Sequence, residues 1–290
     1  MAKLIDGKAI STEIKSEIAL EVQELKQKGI VPGLAVVLVG SDPASQTYVN
    51  LKEKACAAAG IYSEKYVLPE SIHQDELFEL VNRLNHKKEI HGILVQLPLP
   101  DGLDEEAVIE TIDPWKDVDA FHPSNVGRIM IGNYHFLPCT PAGIMEMLHR
   151  EKISVGGKSC VVVGRSNIVG KPMAMLLMHE NGTVTICHSK TKDLGDVCRR
   201  ADILVAAVGK PKFITADMVK PGACVIDVGM DRDKNGKLCG DVDFEPVSKL
   251  ASHITPVPGG VGPMTIAMLL RNTLTAAKIQ NAIPDRKKVC

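Results

Sequence analysis

Apolar residues recur along this chain with two alternating periods. Over residues 11–28 they fall at Ile14, Ile18, Val22 and Leu25, one face of a helix that Gly29 stops. An unbroken apolar run, Leu34–Val39, follows between Gly33 and Gly40 and predicts a buried strand. Ser41-Asp42-Pro43 then offers a cap and a proline for the first helical position, opening a helix that ends at Gly60. Tyr62–Leu68 predicts a strand, and His73–Leu84 a helix with Leu77, Leu80, Val81 and Leu84 on one side. A strand over Ile90–Leu97 is stopped by Pro98 and Pro100, and a short helix covers Glu105–Ile112. Repeated strand–helix alternation predicts the α/β class, a largely parallel sheet with helices on both faces.

From Asp113 to Thr140 the periodicity lapses into a stretch rich in Pro, Gly and Asn, read as a crossing between domains. A helix starts at Pro141, and a second β–α series begins at Lys158, with strands over Val161–Gly164, Thr183–Cys187, Ile203–Val208 and Cys224–Gly229. Asn235-Gly236 signals a small hairpin. Pro258–Pro263 is a stiff, glycine-rich loop, and a long helix closes the chain over Met264–Gln280.

The second series opens on the most informative stretch, Lys158–Leu177. An apolar strand ends in Gly164, a tight loop runs through Arg165, Ser166 and Asn167, and Gly170 and Pro172 open a helix. That order presents free backbone N–H groups to a phosphate, as in Rossmann-like dinucleotide sites. The usual G-x-G-x-x-G is imperfect, with Ser166 in the middle and the last glycine one residue late at Gly170. An NAD site usually carries an acidic residue at the end of the next strand. Here that end reads His188-Ser189-Lys190-Thr191. A hydroxyl with Lys190 and Arg165 suits a 2′-phosphate, so NADP is preferred over NAD. As bare residues, 188–190 also describe a solvated loop.

Composition narrows the class. The 290 residues suffice for two ordinary domains, and a net charge of −1 gives no basic surplus for nucleic acid. No apolar run reaches membrane-span length, and the first residues lack the pattern of a signal or transit peptide. The eight cysteines form no C-x-x-C pair, so reduced thiols in a cytoplasmic protein are expected.

On the helix after Pro43, Tyr48 and Lys52 stand at i and i+4, with Ser45 three residues earlier. Apolar neighbours Val49, Leu51, Ala55 and Ala57 are expected to bury much of this helix. A lysine so flanked can have its charge disfavoured and trade protons near neutrality; an ordinary surface Tyr–Lys pair reads the same way. Gln96 lies near a strand end, where open α/β sheets hold ligands; a satisfied core glutamine is the plain alternative. Asp117 and Asp119 fit a turn, ligand acceptors or metal ligands, and no nearby His or Cys supports a metal. Gly157-Lys158-Ser159 lacks the upstream glycine of a P-loop, and Asp231-x-Asp233 lacks the final glutamate of a calcium loop.

Taken in order, S-x-x-Y-V-x-x-K (Ser45 to Lys52), VQLPLP (Val95 to Pro100), KDVDAFHP (Lys116 to Pro123), PCTP (Pro138 to Pro141), VVVGRSNIVGKP (Val161 to Pro172), HSKT (His188 to Thr191) and PGGVGPMT (Pro258 to Thr265) closely resemble the bifunctional methylenetetrahydrofolate dehydrogenase/cyclohydrolase family over nearly the whole chain. The resemblance implies NADP-linked oxidation of 5,10-methylenetetrahydrofolate, then hydration to 10-formyltetrahydrofolate, without metal. It implies two α/β domains with a cleft between them: residues 1–119 plus 264–290 binding folate, 140–263 binding NADP, and 120–139 crossing. Lys52 would be the main catalytic group, held by Gln96, with Tyr48 beside the folate and Asp119 bonding the pterin. Tyr48, Val49, Asn50, Leu51, Lys52, Val95, Gln96, Leu97 and the loop Pro258, Gly259, Gly260, Val261 and Gly262 would line the folate site. Gly164, Arg165, Ser166, Ser189 and Met230 would meet NADP. Family members often carry isoleucine where Met230 stands, a change that a backbone contact survives. The resemblance further implies a homodimer through the nucleotide domains and no nucleic-acid or membrane partner. A different NADP oxidoreductase of like layout, such as a shikimate-type dehydrogenase, and a non-enzymatic nucleotide-binding regulator are the rivals. The first does not account for Tyr48–Lys52 together with PGGVGPMT, and the intact set Lys52, Gln96 and Asp119 counts against the second; a dehydrogenase with little cyclohydrolase activity is a third reading.

Overall fold

The computed structural model describes residues 1–234 and 236–282. In chain order the elements are β1 (Lys3–Leu4), α1 (Gly7–Gln27), β2 (Gly33–Val39), α2 (Pro43–Ala59), β3 (Tyr62–Leu68), α3 (Gln74–His86), β4 (Gly92–Val95), α4 (Glu105–Thr111), α5 (Pro123–Met130), α6 (Cys139–Arg150), β5 (Ser159–Val163), α7 (Gly170–His179), β6 (Thr183–Cys187), α8 (Leu194–Cys198), β7 (Ile203–Ala206), β8 (Cys224–Asp227), β9 (Asp231–Arg232), β10 (Leu238–Cys239), α9 (Phe244–Ser248), β11 (His253–Ile254) and α10 (Val261–Gln280). They form two units. One comprises Glu13–Leu137 and the chain from Ile266 onward; the other comprises Met1–Thr12 with Pro138–Thr265.

The first unit holds a parallel sheet of order β3-β2-β4, in which Val37 stands opposite Val95. All seven residues of β2 are buried, as expected of a central parallel strand covered on both faces. Ala35, Val37 and Val39 meet Leu77, Leu80 and Val81 of α3 and Val108 of α4. Residues 123–130 belong to the stretch read from sequence as a crossing, yet they form α5. His122 caps it, its Nδ1 accepting the Ser124 N–H at 3.0 Å, and only Asn125 and Ile129 turn inward. Two inward residues are too few to register as a period.

The second unit holds a six-stranded, wholly parallel sheet of order β1-β11-β8-β7-β5-β6. Strand β1 joins this sheet through β11, which is why Met1–Thr12 belong to this unit. Val161, Val163, Leu204, Ala206 and Val225 pack one face against Cys198, Ile214 and Val247. The expected hairpin is present as the antiparallel pair β9–β10, its Gly236 at φ 76°; Asn235 lies outside the described residues.

Candidate active site

Helix α2 starts where the sequence says it should. Asp42 accepts the Ser45 N–H at 2.7 Å, Pro43 takes the first turn, and Gly60 closes the helix in the left-handed region at φ 75°. Its buried stripe is Ser45, Val49, Lys52, Cys56 and Ala59. Leu51 and Ala57, expected to help bury the helix, are exposed instead, because the inward face follows the steps of three and four from Ser45. Asn50 is also exposed, and its side chain accepts from Lys65 Nζ at 3.3 Å.

Lys52 is 9% exposed, and its Nζ donates to Gln96 Oε1 at 2.9 Å. Gln96 follows β4 directly, and its backbone N–H bonds Val37 O at 2.8 Å, prolonging the sheet pairing. Its Nε2 donates to Leu97 O at 2.7 Å. The amide is thereby oriented, with the NH2 committed to the backbone and the carbonyl oxygen turned to Lys52 Nζ. Tyr48 is half-buried one turn before Lys52, and burial pushes its phenol up, so it remains a neutral hydroxyl at physiological pH. Val49 and Val95 are buried beside these groups in sequence, and Leu97 is half-buried.

The KDVDAF segment divides its charges. Buried Lys116 donates to Leu84 O at 3.1 Å and Lys87 O at 2.8 Å, closing the end of α3. Asp117 is 1% exposed and accepts the His122 N–H at 2.9 Å and Asn125 Nδ2 at 2.8 Å. Burial pushes its carboxyl up against the opposing pull of those hydrogen bonds. Both residues are committed to holding the turn. Ile93 bridges Asp117 in parallel register, and Asp119, half-buried, stands in the turn that follows.

In the second unit, β5, its loop and α7 form a glycine-dependent turn. A Cβ on Gly164, at φ +135°, would lie 2.2 Å from Ala207 O, and one on Gly170 would lie 2.3 Å from Gly164 O. The late glycine therefore permits the close helix–strand approach that the fingerprint's last glycine serves. Ser166 Oγ accepts the N–H groups of Val169 and Gly170, each at 3.2 Å, so a side chain caps α7 where the usual motif has bare backbone. Arg165 and Ser166 are exposed. Strand order reverses between β5 and β7, beside this loop, and such switch points hold ligands in open parallel sheets. After β6, Thr191 Oγ1 accepts the His188 N–H at 2.8 Å and His188 Nδ1 the Lys190 N–H at 3.1 Å, leaving Ser189 and Lys190 exposed. Exposed Arg165, Ser189 and Lys190 beside this glycine turn fit a phosphorylated dinucleotide.

Pro258–Gly262 borders the same unit's amino terminus. Lys8 N–H donates to Gly259 O at 2.9 Å, and a Cβ on Gly7 would sit 1.9 Å from Gly260 O. Gly259 has φ +104°, and Val261, buried, opens α10. Met230, 45% exposed after β8, reaches this loop: a Cβ on Gly262 would lie 2.9 Å from Met230 Cε. Sequence reading missed Gly7, Asp227 and Asp241, which shape this end of the unit. The signal for Asp227 was an acid closing the apolar run Cys224–Asp227.

Comparison with known proteins identifies the family. Residues 5–119 match the family model of the tetrahydrofolate dehydrogenase/cyclohydrolase catalytic domain, and residues 138–281 that of the tetrahydrofolate dehydrogenase/cyclohydrolase NAD(P)-binding domain. The bifunctional protein FolD of Acetivibrio thermocellus is 63% identical over 279 residues, 96% of this chain and 98% of that protein. The bifunctional FolD methylenetetrahydrofolate dehydrogenase/cyclohydrolase structure from Campylobacter jejuni superposes with a TM-score of 0.95 at 54% identity, over 97% of this chain and 100% of its own. The Trypanosoma brucei methylenetetrahydrofolate dehydrogenase-cyclohydrolase, solved with NADP and an inhibitor, gives 0.93 at 43% identity over 97% and 98%. Shikimate dehydrogenase from Aquifex aeolicus, at 17% identity and a TM-score of 0.52 over 87% of this chain and 94% of its own, shares the fold alone. By both family matches and these relatives, the chain belongs to the tetrahydrofolate dehydrogenase/cyclohydrolase family.

Proposed function

We propose that this protein oxidises 5,10-methylenetetrahydrofolate to 5,10-methenyltetrahydrofolate with NADP and then hydrolyses the product to 10-formyltetrahydrofolate. The observation that carries this reading is the buried Lys52 amine held at 2.9 Å by an amide whose other end is fixed to the backbone. NADP, when bound, supplies the hydride acceptor. The residues of the chain must orient the folate, exclude water during oxidation and then manage a proton during hydration.

The methenyl product is a delocalised cation and already electrophilic. Its hydration needs a positioned water and a proton acceptor, and no metal. Lys52 is the group assigned to that proton, through its Nζ, with Gln96 fixing where the nitrogen stands. Tyr48, a neutral hydroxyl one turn away, packs beside the folate, and Asp119 accepts from the pterin N–H groups. The remaining folate contacts on this reading are Val49, Asn50, Leu51, Val95, Leu97 and Pro258–Gly262. Gly164, Arg165, Ser166, Ser189 and Met230 contact NADP, with the Arg165 guanidinium on the 2′-phosphate. On this reading 1–119 plus 264–290 are the folate-binding domain and 140–263 the NADP domain, with residues 1–12 pairing into the NADP domain's sheet.

A homodimer through the nucleotide domain is part of the proposal. Strand β6 ends the six-stranded sheet with Thr185 and Ile186 exposed, and an unpaired edge of that kind favours association. Among the described residues no helix is long and apolar enough to cross a membrane. The deciding experiment is spectroscopic. Purified protein is given methylenetetrahydrofolate with NADP, then with NAD, and methenyl formation and decay are followed. Absence of methenyl formation with either cofactor overturns the assignment.

A further inference from the structure

We infer that Asp227 and Asp241 are positioning residues for the cofactor: together they set the backbone of segments 207–210 and 228–230, which follow β7 and β8 at the carboxyl edge of the six-stranded sheet. The inference rests on the proposal that NADP binds at that edge.

Asp241 is fully buried. Its Oδ2 accepts the N–H groups of Val208 at 2.6 Å and Gly209 at 3.3 Å, and its Oδ1 accepts that of Lys210 at 2.7 Å. Three consecutive N–H groups thus converge on one carboxylate and fix the loop after β7, with Gly209 turned to φ +64°. Asp227, 3% exposed, holds Asp241 in turn. Its Oδ1 accepts the N–H groups of Gly229 at 3.0 Å and Asp241 at 2.9 Å, and its Oδ2 that of Val242 at 3.0 Å. The Asp227 N–H donates to Thr255 Oγ1 at 2.7 Å.

Glycines make room for both carboxylates. A Cβ on Gly240 would lie 2.1 Å from Asp227 Oδ2, and one on Gly229 would lie 2.6 Å from Asp241 Cγ. Two buried carboxylates are costly, and apolar side chains would fill the same space with less penalty. What apolar groups cannot do is gather N–H donors from two loops. Those loops border the switch point: the Cα of Gly164 faces Ala207 O, and Met230 ends the segment held through Gly229. Burial pushes Asp227 up to about 7, with Asp241 beside it adding to the rise. Asp231 and Cys239 of the β9–β10 hairpin face the same pair.

The test uses the full chain and the variants Asp241→Asn and Asp227→Asn, whose amides turn an N–H group toward N–H donors. Asp241→Asn is expected to raise KM for NADP about tenfold or more while KM for methylenetetrahydrofolate stays within about twofold. An unchanged KM for NADP, or equal rises for both substrates, would overturn the inference. A second measurement covers the case in which the variants fail to fold. Amide hydrogen exchange of segments 207–210 and 228–230 is followed in the unaltered protein with and without NADP. Slower exchange of both segments on NADP binding supports the positioning role, and exchange unchanged by NADP refutes it. If the unaltered protein binds neither NADP nor NAD, the functional proposal itself fails; binding with insensitive variants and unchanged exchange defeats this inference alone.

Discussion

Lys52 Nζ donates to Gln96 Oε1 across 2.9 Å, joining the middle of a helix to the end of a strand 44 residues later. The pair fixes the nitrogen, and the proposed hydration step depends on that nitrogen's proton. Lys52→Met keeps the length and bulk of the chain and removes the amine. The expected result is a loss of cyclohydrolase activity of roughly 100- to 10,000-fold, the usual range for a removed acid–base group. NADP binding should change by less than about twofold, because the contacts proposed for NADP lie on other residues. Hydration that survives in this variant, measured as decay of supplied methenyltetrahydrofolate, removes Lys52 from its assigned role.

Gln96 acts through Lys52 and through the Leu97 carbonyl. Gln96→Ala leaves Nζ of the 9%-exposed Lys52 without this acceptor, a cost of about 1–3 kcal/mol in stability. If Gln96 works by holding the amine, its effect on cyclohydrolase activity should largely vanish in the Lys52→Met background. A double-mutant cycle with a coupling of about 0.5–3 kcal/mol meets this expectation, and strict additivity contradicts it.

Arg165 is exposed in the loop after β5, beside a serine that already spends its hydroxyl on capping α7. Charge for a 2′-phosphate therefore has to come from Arg165 and its neighbours across the loop. Arg165→Ala should weaken NADP by roughly 10- to 100-fold, the worth of a charged hydrogen bond, and NAD by less than about threefold. Equal losses for the two cofactors in direct binding measurements would refute the 2′-phosphate contact.

Much of this was legible in the sequence because the physics behind it is local. The cap at Asp42, the stop at Gly60 and the apolar run of β2 each follow from neighbouring residues, so α2 and the sheet around it were readable. Tyr48 and Lys52 share a helix face by spacing alone. That Gln96 holds Lys52 came only from the family resemblance, since nothing local says which strand end approaches which helix. Asp117 looked as chemical as Asp119 until its partners were seen to be the His122 N–H and Asn125. Helix α5 and strand β1 are too short for a period, and β1 exists because β11, 250 residues later, supplies its hydrogen bonds. Asp227 and Asp241 escaped for the same reason: their partners are N–H groups on loops that the fold alone brings together.

Glycines offer a matched pair of predictions. Gly170→Ala would drive a methyl to 2.3 Å from Gly164 O, so α7 must shift away from β5. A loss of about 1–3 kcal/mol is expected, as for other overpacked sites, with weaker NADP binding. Gly127, inside α5, has nothing within 4 Å of the added methyl. Gly127→Ala should be neutral or stabilising by about 0.5–1 kcal/mol, through helix propensity and a less free unfolded chain. Urea denaturation of both variants checks the pair. A Gly170→Ala protein as stable as the parent would show that the strand–helix approach is not tight.

Asp227 also sets a pH dependence of stability whose sign is opposite to that of a salt-bridged acid. Burial raises its carboxyl from the ordinary 3.8 to about 7 in the folded chain. Between those values the folded state holds a proton that the unfolded state has released, so stability falls as pH rises from about 4 to about 7 and is level above that. An interval of roughly 3 units at about 1.4 kcal/mol per unit gives an effect of order 4 kcal/mol. Asp227→Asn cannot titrate. The difference in unfolding free energy between the unaltered protein and this variant, taken by urea titration at pH 5 and at pH 8, isolates the group from every other titration. It should shift against the unaltered protein by a few kcal/mol at the higher pH. A difference independent of pH would mean that Asp227 remains ionised throughout, and that its three N–H donors outweigh the cost of its burial.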